Sequence, residues 1–342
     1  MNIVGLDLGS QNLKAVEVER VKGKPELARF SSRQSPKVSL SSDSKSDLKE
    51  YAEELASFWE GAGFESNLVS LALPESQVFT RVISLPKMSD KELQKAISWE
   101  AEQYIPLPIK EVSFGYHSLG SPAGAKAEQI EVLLVAAPKR VAEKYTQVLE
   151  EADLEVMGIE TEPIAISRSV LGPDSEPFAT LITNIGAAVT NLSISYRGGV
   201  YFTRSVATGG MALDRTISQE FGFQMSQAEE YKKSYGLDES QLEGKVAQAL
   251  RPVFDVITAE VRKSLTFFKN RYSQIPVKRV ILCGGVANLP GILVYLAGAL
   301  GIEVQQANPW RKLTIPSKFS TQELADLAPS FAVAVGLALR EF

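Results

Sequence analysis

The chain has 342 residues, more than one hydrophobic core ordinarily serves, so two lobes or more are expected. Apolar residues make up 44% and charged residues 23%, which leaves no room for wholesale disorder, and 36 basic against 41 acidic side chains (net −5) lack the cationic excess that binding nucleic acid requires. A single cysteine, Cys283, and a single histidine, His117, leave intrachain disulfides, Cys/His zinc sites and a Ser-His-Asp array without material and point to a reducing, cytoplasmic setting.

The start, Met1 to Asp7, carries an acid where a signal peptide needs an unbroken apolar core, so no export signal is expected. Asn2 to Leu8 reads as a buried strand ending in Gly9-Ser10-Gln11-Asn12, and Leu13 to Val18 alternates as a second strand. Ser31 to Ser46, rich in Ser, Lys and Pro, reads as a mobile loop. Asp47 to Ala62 then places Leu48, Tyr51, Ala52, Leu55, Phe58 and Trp59 at helical spacing, before a strand at Leu68 to Leu73.

A distinct α+β module is expected to begin near Arg81. Ser89 and Glu92 form a capping box, and Leu93, Ala96, Ile97, Ala101, Tyr104 and Ile105 continue one apolar stripe as far as Pro106 and Pro108. Strands follow at Glu111 to Leu119 and Gln129 to Ala137, separated by Gly120 to Gly124, and then a helix at Val141 to Ala152.

From Phe178 the pattern of the N-terminus returns, with a strand at Thr180 to Ile185, a small-residue turn at Gly186-Ala187-Ala188 and a strand at Thr190 to Tyr196. Asp7 in the first copy and Asn184 in the second each stand two residues before a glycine, and this duplication implies two lobes on one plan. Helices are expected around Ala212 to Phe221 and Val246 to Tyr272. Val280 to Ile302 has no charged side chain, but Gly284-Gly285 and Asn288 to Gly291 break it into a strand and a short helix, which excludes a spanning segment of about 20 residues.

The hairpin Asp7 to Lys14 can turn backbone N–H groups inward as phosphate-binding concavities do, with Lys14 adding positive charge and Asp7 able to hold Mg²⁺ through its waters. Alone, it is weak evidence and reads more readily as a simple Asp-Leu-Gly turn with an exposed Lys. No G-x-x-x-x-G-K-[ST] occurs, which excludes a P-loop nucleotidase.

Taken together, Asp7 to Lys14, Asn184 to Thr190 and Leu282 to Gly291 resemble the two phosphate motifs and the adenosine motif of the actin, sugar kinase and heat-shock chaperone ATPase superfamily. Leu85-Pro86-Lys87-Met88 and Trp99 to Pro106 resemble more narrowly the PilM proteins of type IV pilus assembly, relatives of the cell-division protein FtsA. The resemblance implies an α/β, two-lobed actin-like ATPase fold with an inserted α+β subdomain of the 1C type. The expected division is 1–81, 161–178 and 328–342 for the first lobe (IA) and 82–160 for the insertion. The second lobe (IIA) takes 179–211 and 276–327, and a helical subdomain (IIB) takes 212–275. Trp99 and Tyr104 remain readable as plain core aromatics.

By position, the resemblance assigns ATP phosphates to Ser10, Gln11, Asn12 and Lys14 from one side and to Gly186 and Ala187 from the other. Gly284, Gly285 and Asn288 are expected at the nucleoside, Gly209 and Gly210 on the sugar side, and Glu229 with Lys232 on a helix facing ribose and base, unless those two are a surface ion pair. Asp7 and Asn184 are expected to hold Mg²⁺ through water, and Glu162 is the candidate catalytic base. Asn184 departs from the usual Asp. An amide takes no proton, so binding is expected to outlast hydrolysis. No kinase base is identifiable. The implied role is an ATP-binding scaffold at the cytoplasmic face of the inner membrane, docking the N-terminal peptide of a PilN-like protein. Other pilus motor or platform partners, self-association, slow ATPase activity and FtsA-like filament formation remain open alternatives.

Overall fold

A computed structural model describes residues 2–121, 129–172 and 176–341. The chain opens with β1 (Ile3–Leu8), β2 (Asn12–Val21), β3 (Lys24–Gln34), α1 (Lys45–Ala62) and β4 (Leu68–Leu73). It continues through β5 (Phe79–Pro86), α2 (Asp90–Tyr104), β6 (Val112–Gly120), β7 (Gln129–Pro138), α3 (Lys139–Glu151), β8 (Glu155–Thr161) and α4 (Glu162–Val170). The second half runs β9 (Ala179–Ile185), β10 (Thr190–Tyr196), β11 (Gly199–Val206), α5 (Gly210–Phe221), α6 (Met225–Tyr235), α7 (Lys245–Arg271) and β12 (Val277–Cys283). It ends in α8 (Ile292–Leu300), β13 (Glu303–Gln306), α9 (Thr321–Leu327) and α10 (Ala332–Ala338).

The expected duplication is visible strand for strand. One five-stranded sheet has the order β3-β2-β1-β4-β8 and the other β11-β10-β9-β12-β13. In each, the first strand pairs antiparallel with its hairpin partner and parallel with the strand on its other side. The register places Asp7 opposite Lys14 in one sheet and Asn184 opposite Asn191 in the other. Helices α4 and α10 lie between the sheets, where Ala165, Ile166, Ala332, Val333 and Leu337 share a core with Ala72 of one and Ile182, Ile281 and Cys283 of the other. Burial alone pushes the Cys283 thiol up, so it serves as a small apolar filler.

Local chemistry explains the helix ends. The Ser44 side chain accepts the Asp47 N–H ahead of α1, and Gly63 closes that helix in the left-handed region at φ 66°, donating its N–H to Trp59 and Glu60. At the start of α2 the Ser89 N–H donates to Glu92 Oε2 at 2.9 Å, completing the expected capping box.

The inserted module is a β5-β7-β6 sheet covered by α2, whose Leu93, Ile97, Ala101 and Ile105 pack on Ile83, Val132 and Leu134. Residues 122–124 of the expected connection lie outside the described residues. Trp99 is 69% exposed and corrects the core reading, because it falls on the solvent side of the α2 stripe. Tyr104 packs against the module core, with the Arg81 guanidinium 4.9 Å from its ring centre.

Two stretches pack elsewhere than the sequence division places them. Within 82–160, β8 pairs with β4, and Tyr145, Val148 and Leu149 of α3 join the first-lobe core, so 139–160 packs with the first lobe. Within 276–327, Trp310, Leu313 and Leu324 pack on Val16, Val18 and Leu27 of β2 and β3, which puts 310–324 on the first lobe as well. The expected loop Ser31 to Ser46 is shorter, since residues 31–34 finish β3 and residues 45–46 begin α1.

Candidate functional site

The two hairpin turns face each other across a cleft of about 530 Å³, a size that falls in the usual range of roughly 300–1,000 Å³ for cofactor sites. Asp7, Ser10, Gln11, Asn12 and Lys14 line it from the first lobe, and Asn184, Gly186 and Ala187 from the second. Gly284, Gly285 and Asn288 line it where β12 ends, and Glu162, the first residue of α4, stands in the wall between the sheets.

On the first turn, Lys14 Nζ lies 3.3 Å from Asp7 Oδ2, a pair made by their facing register. The turn is also held from outside, because the Ser35 N–H donates to Gln11 O at 2.9 Å and the Ser35 hydroxyl to Gly9 O at 2.6 Å. On the second turn, the N–H groups of Gly210 and Met211 donate to the carbonyls of Gly186 and Ala187 at 2.9 and 2.8 Å. A Cβ on Gly209 would come within 2.6 Å of Gly186 O and 2.8 Å of Ala187 O, so the backbones meet only because that side chain is absent.

Gly209 and Gly210, expected on the sugar side, lie behind the second turn and brace it, outside the cleft lining. Gly284 also has a reason different from the expected one. At φ 87° its Cβ would meet Ile185 O at 2.2 Å, so glycine is required by the neighbouring strand, whereas a Cβ on Gly285 meets nothing within 4 Å. Asn288 is committed to the wall, donating to Asp326 O at 2.7 Å and accepting from Gln306 at 2.8 Å.

Glu229 and Lys232 do not act as one pair. Lys232 is buried and pairs with Asp214 at 2.7 Å beneath Gly210, outside the cleft lining. Glu229 pairs instead with Lys233, one residue further on, at 2.7 Å, and that ammonium holds its carboxyl below the usual range. Gln11 Nε2 reaches across from the first lobe to Glu229 Oε1 at 3.4 Å, a direct bridge between the lobes.

Glu162 is held by amides. Asn191 Nδ2 donates to its Oε2 at 2.8 Å and Asn184 Nδ2 to the same oxygen at 3.3 Å, while the Ser205 hydroxyl donates to Asn191 Oδ1 at 2.5 Å. Burial first, and then the Asp7 charge, push the Glu162 carboxyl up to about 7, against the Asn191 hydrogen bond. Such a group is poised to exchange a proton near neutral pH. Glu75, in the same cleft wall, is also pushed up to about 7 by burial, and its Oε2 has no partner among the described residues.

The sequence reading missed Glu75, Asn191 and Ser205. Asn191 had a signal, since it stands opposite Asn184 as Lys14 stands opposite Asp7. Glu75 had none beyond being an acid after a strand end.

Among the described residues no group of three or more Asp, Glu, His or Cys side chains is placed to cage a metal. Asp7 is the carboxylate at the first turn that an ion keeping most of its waters could use.

The profile of the family described as Type IV pilus assembly protein PilM matches residues 5–342. Among solved structures, the PilM-PilN type IV pilus biogenesis complex contains a chain that is 30% identical, with 99% of this chain and 98% of that chain covered at a TM-score of 0.84. The cell division protein FtsA of Streptococcus pneumoniae is 22% identical over 97% of this chain and 78% of its own length. MreB5 of Spiroplasma citri, solved bound to ADP, covers 99% of this chain and 96% of its own at 16% identity and a TM-score of 0.57, a likeness of fold alone. The architecture is therefore the actin-like ATPase one that the duplicated sheets describe.

Proposed function

The chain belongs to the PilM family of type IV pilus assembly proteins, and we propose that within that assembly it is a scaffold whose two lobes are held together by Mg-ATP, with little or no turnover. The observation that carries this reading is the facing pair of turns, one bearing Asp7 and Lys14 and the other bearing amides, within a cleft bridged by Gln11 and Glu229. Lys14 supplies charge to the phosphates, Asp7 a water-mediated hold on Mg²⁺, and Ser10, Gln11, Asn12, Gly186 and Ala187 the surrounding polar edge. Gly285, where a side chain would meet nothing within 4 Å, keeps the nucleoside end open. Glu162 would orient water, but with Asn184 beside it in place of a carboxylate, metal and water are less well organised and hydrolysis lags behind binding.

The division into lobes IA and IIA, a helical IIB and an inserted 1C-type module is part of the same proposal, with 139–160 and 310–324 counted to the first lobe. The partner is the N-terminal cytoplasmic segment of a PilN-like inner-membrane protein, as the known complex of a similar chain with PilN suggests. Attachment to the membrane would run through that partner, since among the described residues no helix is long and apolar enough to cross one. Between α1 and α3, where the first lobe meets the segment that leads out of the module, a second cavity of about 730 Å³ has Leu48 and Ala52 at its apolar floor and a rim of mixed charge, Lys45, Lys49, Arg140 and Lys144 with Asp43, Glu53, Glu143 and Glu151. A short peptide gains there from apolar anchors and backbone hydrogen bonds, less the cost of ordering its tail.

Titrating the labelled PilN-like N-terminal peptide into ATP-loaded protein should give saturable binding in the micromolar range, weakened by Arg140→Glu in the α1–α3 cavity. Absence of saturation at millimolar peptide removes the docking role, and binding unaffected by the substitution moves the groove elsewhere.

A further inference from the structure

Between β3 and α1 the chain crosses one end of the cleft, and residues 35–41 all line it. This strap is fastened at both ends. At one end Ser35 holds the first turn through its N–H and hydroxyl, at 2.9 and 2.6 Å from the carbonyls of Gln11 and Gly9. At the other, Lys144 of α3 donates to Ser42 O at 2.9 Å and pairs with Asp43 at 2.6 Å. In the middle Leu40 is buried in the first-lobe core, while Lys37 stays exposed at the cleft edge.

The charge lining the cleft is unbalanced against a polyanion. Asp7, Glu75, Glu162 and Asp326 contribute carboxylates, and the basic side chains are Lys14 and Lys37. Lys14 is already paired with Asp7, whereas Lys37 has neither an ion pair nor a hydrogen bond among the described residues. A free ammonium on a tethered but non-helical segment beside a phosphate-type turn has both the charge and the reach to meet a phosphate as a point charge. The strap grips the first turn, on the lobe opposite Gly284, so it approaches the phosphate end of the cleft and not the nucleoside end.

We propose that Lys37 is a further phosphate-binding residue that closes on the terminal phosphate of a bound nucleoside triphosphate, and that its strap carries this closure through Lys144 to helix α3. The inference rests on the nucleotide reading above and adds a residue and a route to it. Because α3 also borders the α1–α3 cavity, nucleotide state reaches a candidate partner surface through covalent chain and two hydrogen-bonded anchors. A ligand of α3 whose affinity ATP raises then raises ATP affinity by the same factor, as linkage requires.

The test compares ATP and ADP affinities, by competition with a fluorescent nucleotide, in the full chain and in Lys37→Ala, Lys37→Arg and Lys144→Ala. Lys37→Ala should weaken ATP by about tenfold or more and ADP by far less, and Lys37→Arg should keep most of the ATP preference. The wild-type chain should show ATP-induced slowing of hydrogen exchange across residues 139–151, and Lys144→Ala should hold ATP affinity within about threefold yet lose that slowing. Equal losses for ATP and ADP, or no loss, in Lys37→Ala overturn the phosphate role, and slowing that persists in Lys144→Ala overturns the route. A wild-type chain that binds neither nucleotide overturns the cleft reading itself, and this inference with it.

Discussion

The two turns that face across the cleft are built on one plan and braced in different ways. Behind the second turn stands the start of α5, whose backbone N–H groups hold Gly186 and Ala187 while Gly209 touches them backbone to backbone. Behind the first stands the single residue Ser35, at the head of a nine-residue crossing from Ser35 to Asp43 that is anchored again by Val38 and Leu40 on the first-lobe core, by the Ser42 hydroxyl on Asp47 and by Lys144. Their chemistry differs in parallel. The braced turn carries Asn184 and Asn191, amides that serve Glu162, while the strapped turn carries the ion pair of Asp7 and Lys14. A firmly braced amide wall opposite a strapped, charged one is what the proposed grip on an anion from one side would use.

The comparison is broken most forcefully at Gly209. Gly209→Ala forces a Cβ into three backbone atoms that have no rotamer to escape by, and should cost about 2–4 kcal/mol in urea unfolding. Ser35→Ala on the other turn loses one side-chain hydrogen bond and should cost about 1 kcal/mol or less. Equal costs would show that the two turns are braced alike.

Exchanging the chemistry sharpens the contrast at a smaller scale. Asn184→Asp places a carboxylate at the second turn, against Glu162 Oε2, and should raise Mg²⁺ dependence and single-turnover hydrolysis by several-fold from a slow start. An unchanged rate would locate the limit elsewhere than at this amide.

The smallest expected effect concerns pH. A carboxyl raised to about 7 in the fold binds more protons there than in the unfolded chain between its ordinary value of 4.5 and about 7, so apo stability falls as pH rises through that window. Glu162→Gln keeps an oxygen for Asn184 and Asn191 and removes the titration. It should melt about 2–3 °C above wild type at pH 8 and level with it at pH 4. A constant offset at both pH values would mean the difference comes from packing, not protonation.

The parts of this molecule legible in the sequence are those fixed by neighbours in the chain. The β1–β2 hairpin, the Leu68–Leu73 strand, the Ser89–Glu92 box and the repeat of the hairpin near Asn184 all follow from period, cap or turn chemistry acting over a few residues. What escaped depends on the other side of a contact. Strand β3 has a mixed pattern because it lies at a sheet edge and is mostly half-buried, so its end reads as loop. Lys232 and Lys233 both fall within reach of Glu229 on a helix, and only the position of Asp214 on α5 decides which of the two turns inward. Gly209 is recognisable as a place for a small residue, and the structure supplies a reason the sequence does not show, the backbone of the second turn within 2.8 Å of where a Cβ would sit.

On the proposed reading the cleft takes Mg-ATP and the charge holding it lies on the first turn. Calorimetric titration of Mg-ATP into the full chain and into Lys14→Ala and Lys232→Ala tests it directly. One saturable site in the wild type, weakened tenfold or more by Lys14→Ala and less than about threefold by Lys232→Ala in protein that keeps its fold, is the result predicted. No saturable binding in the wild type, or equal weakening by both substitutions, would contradict it.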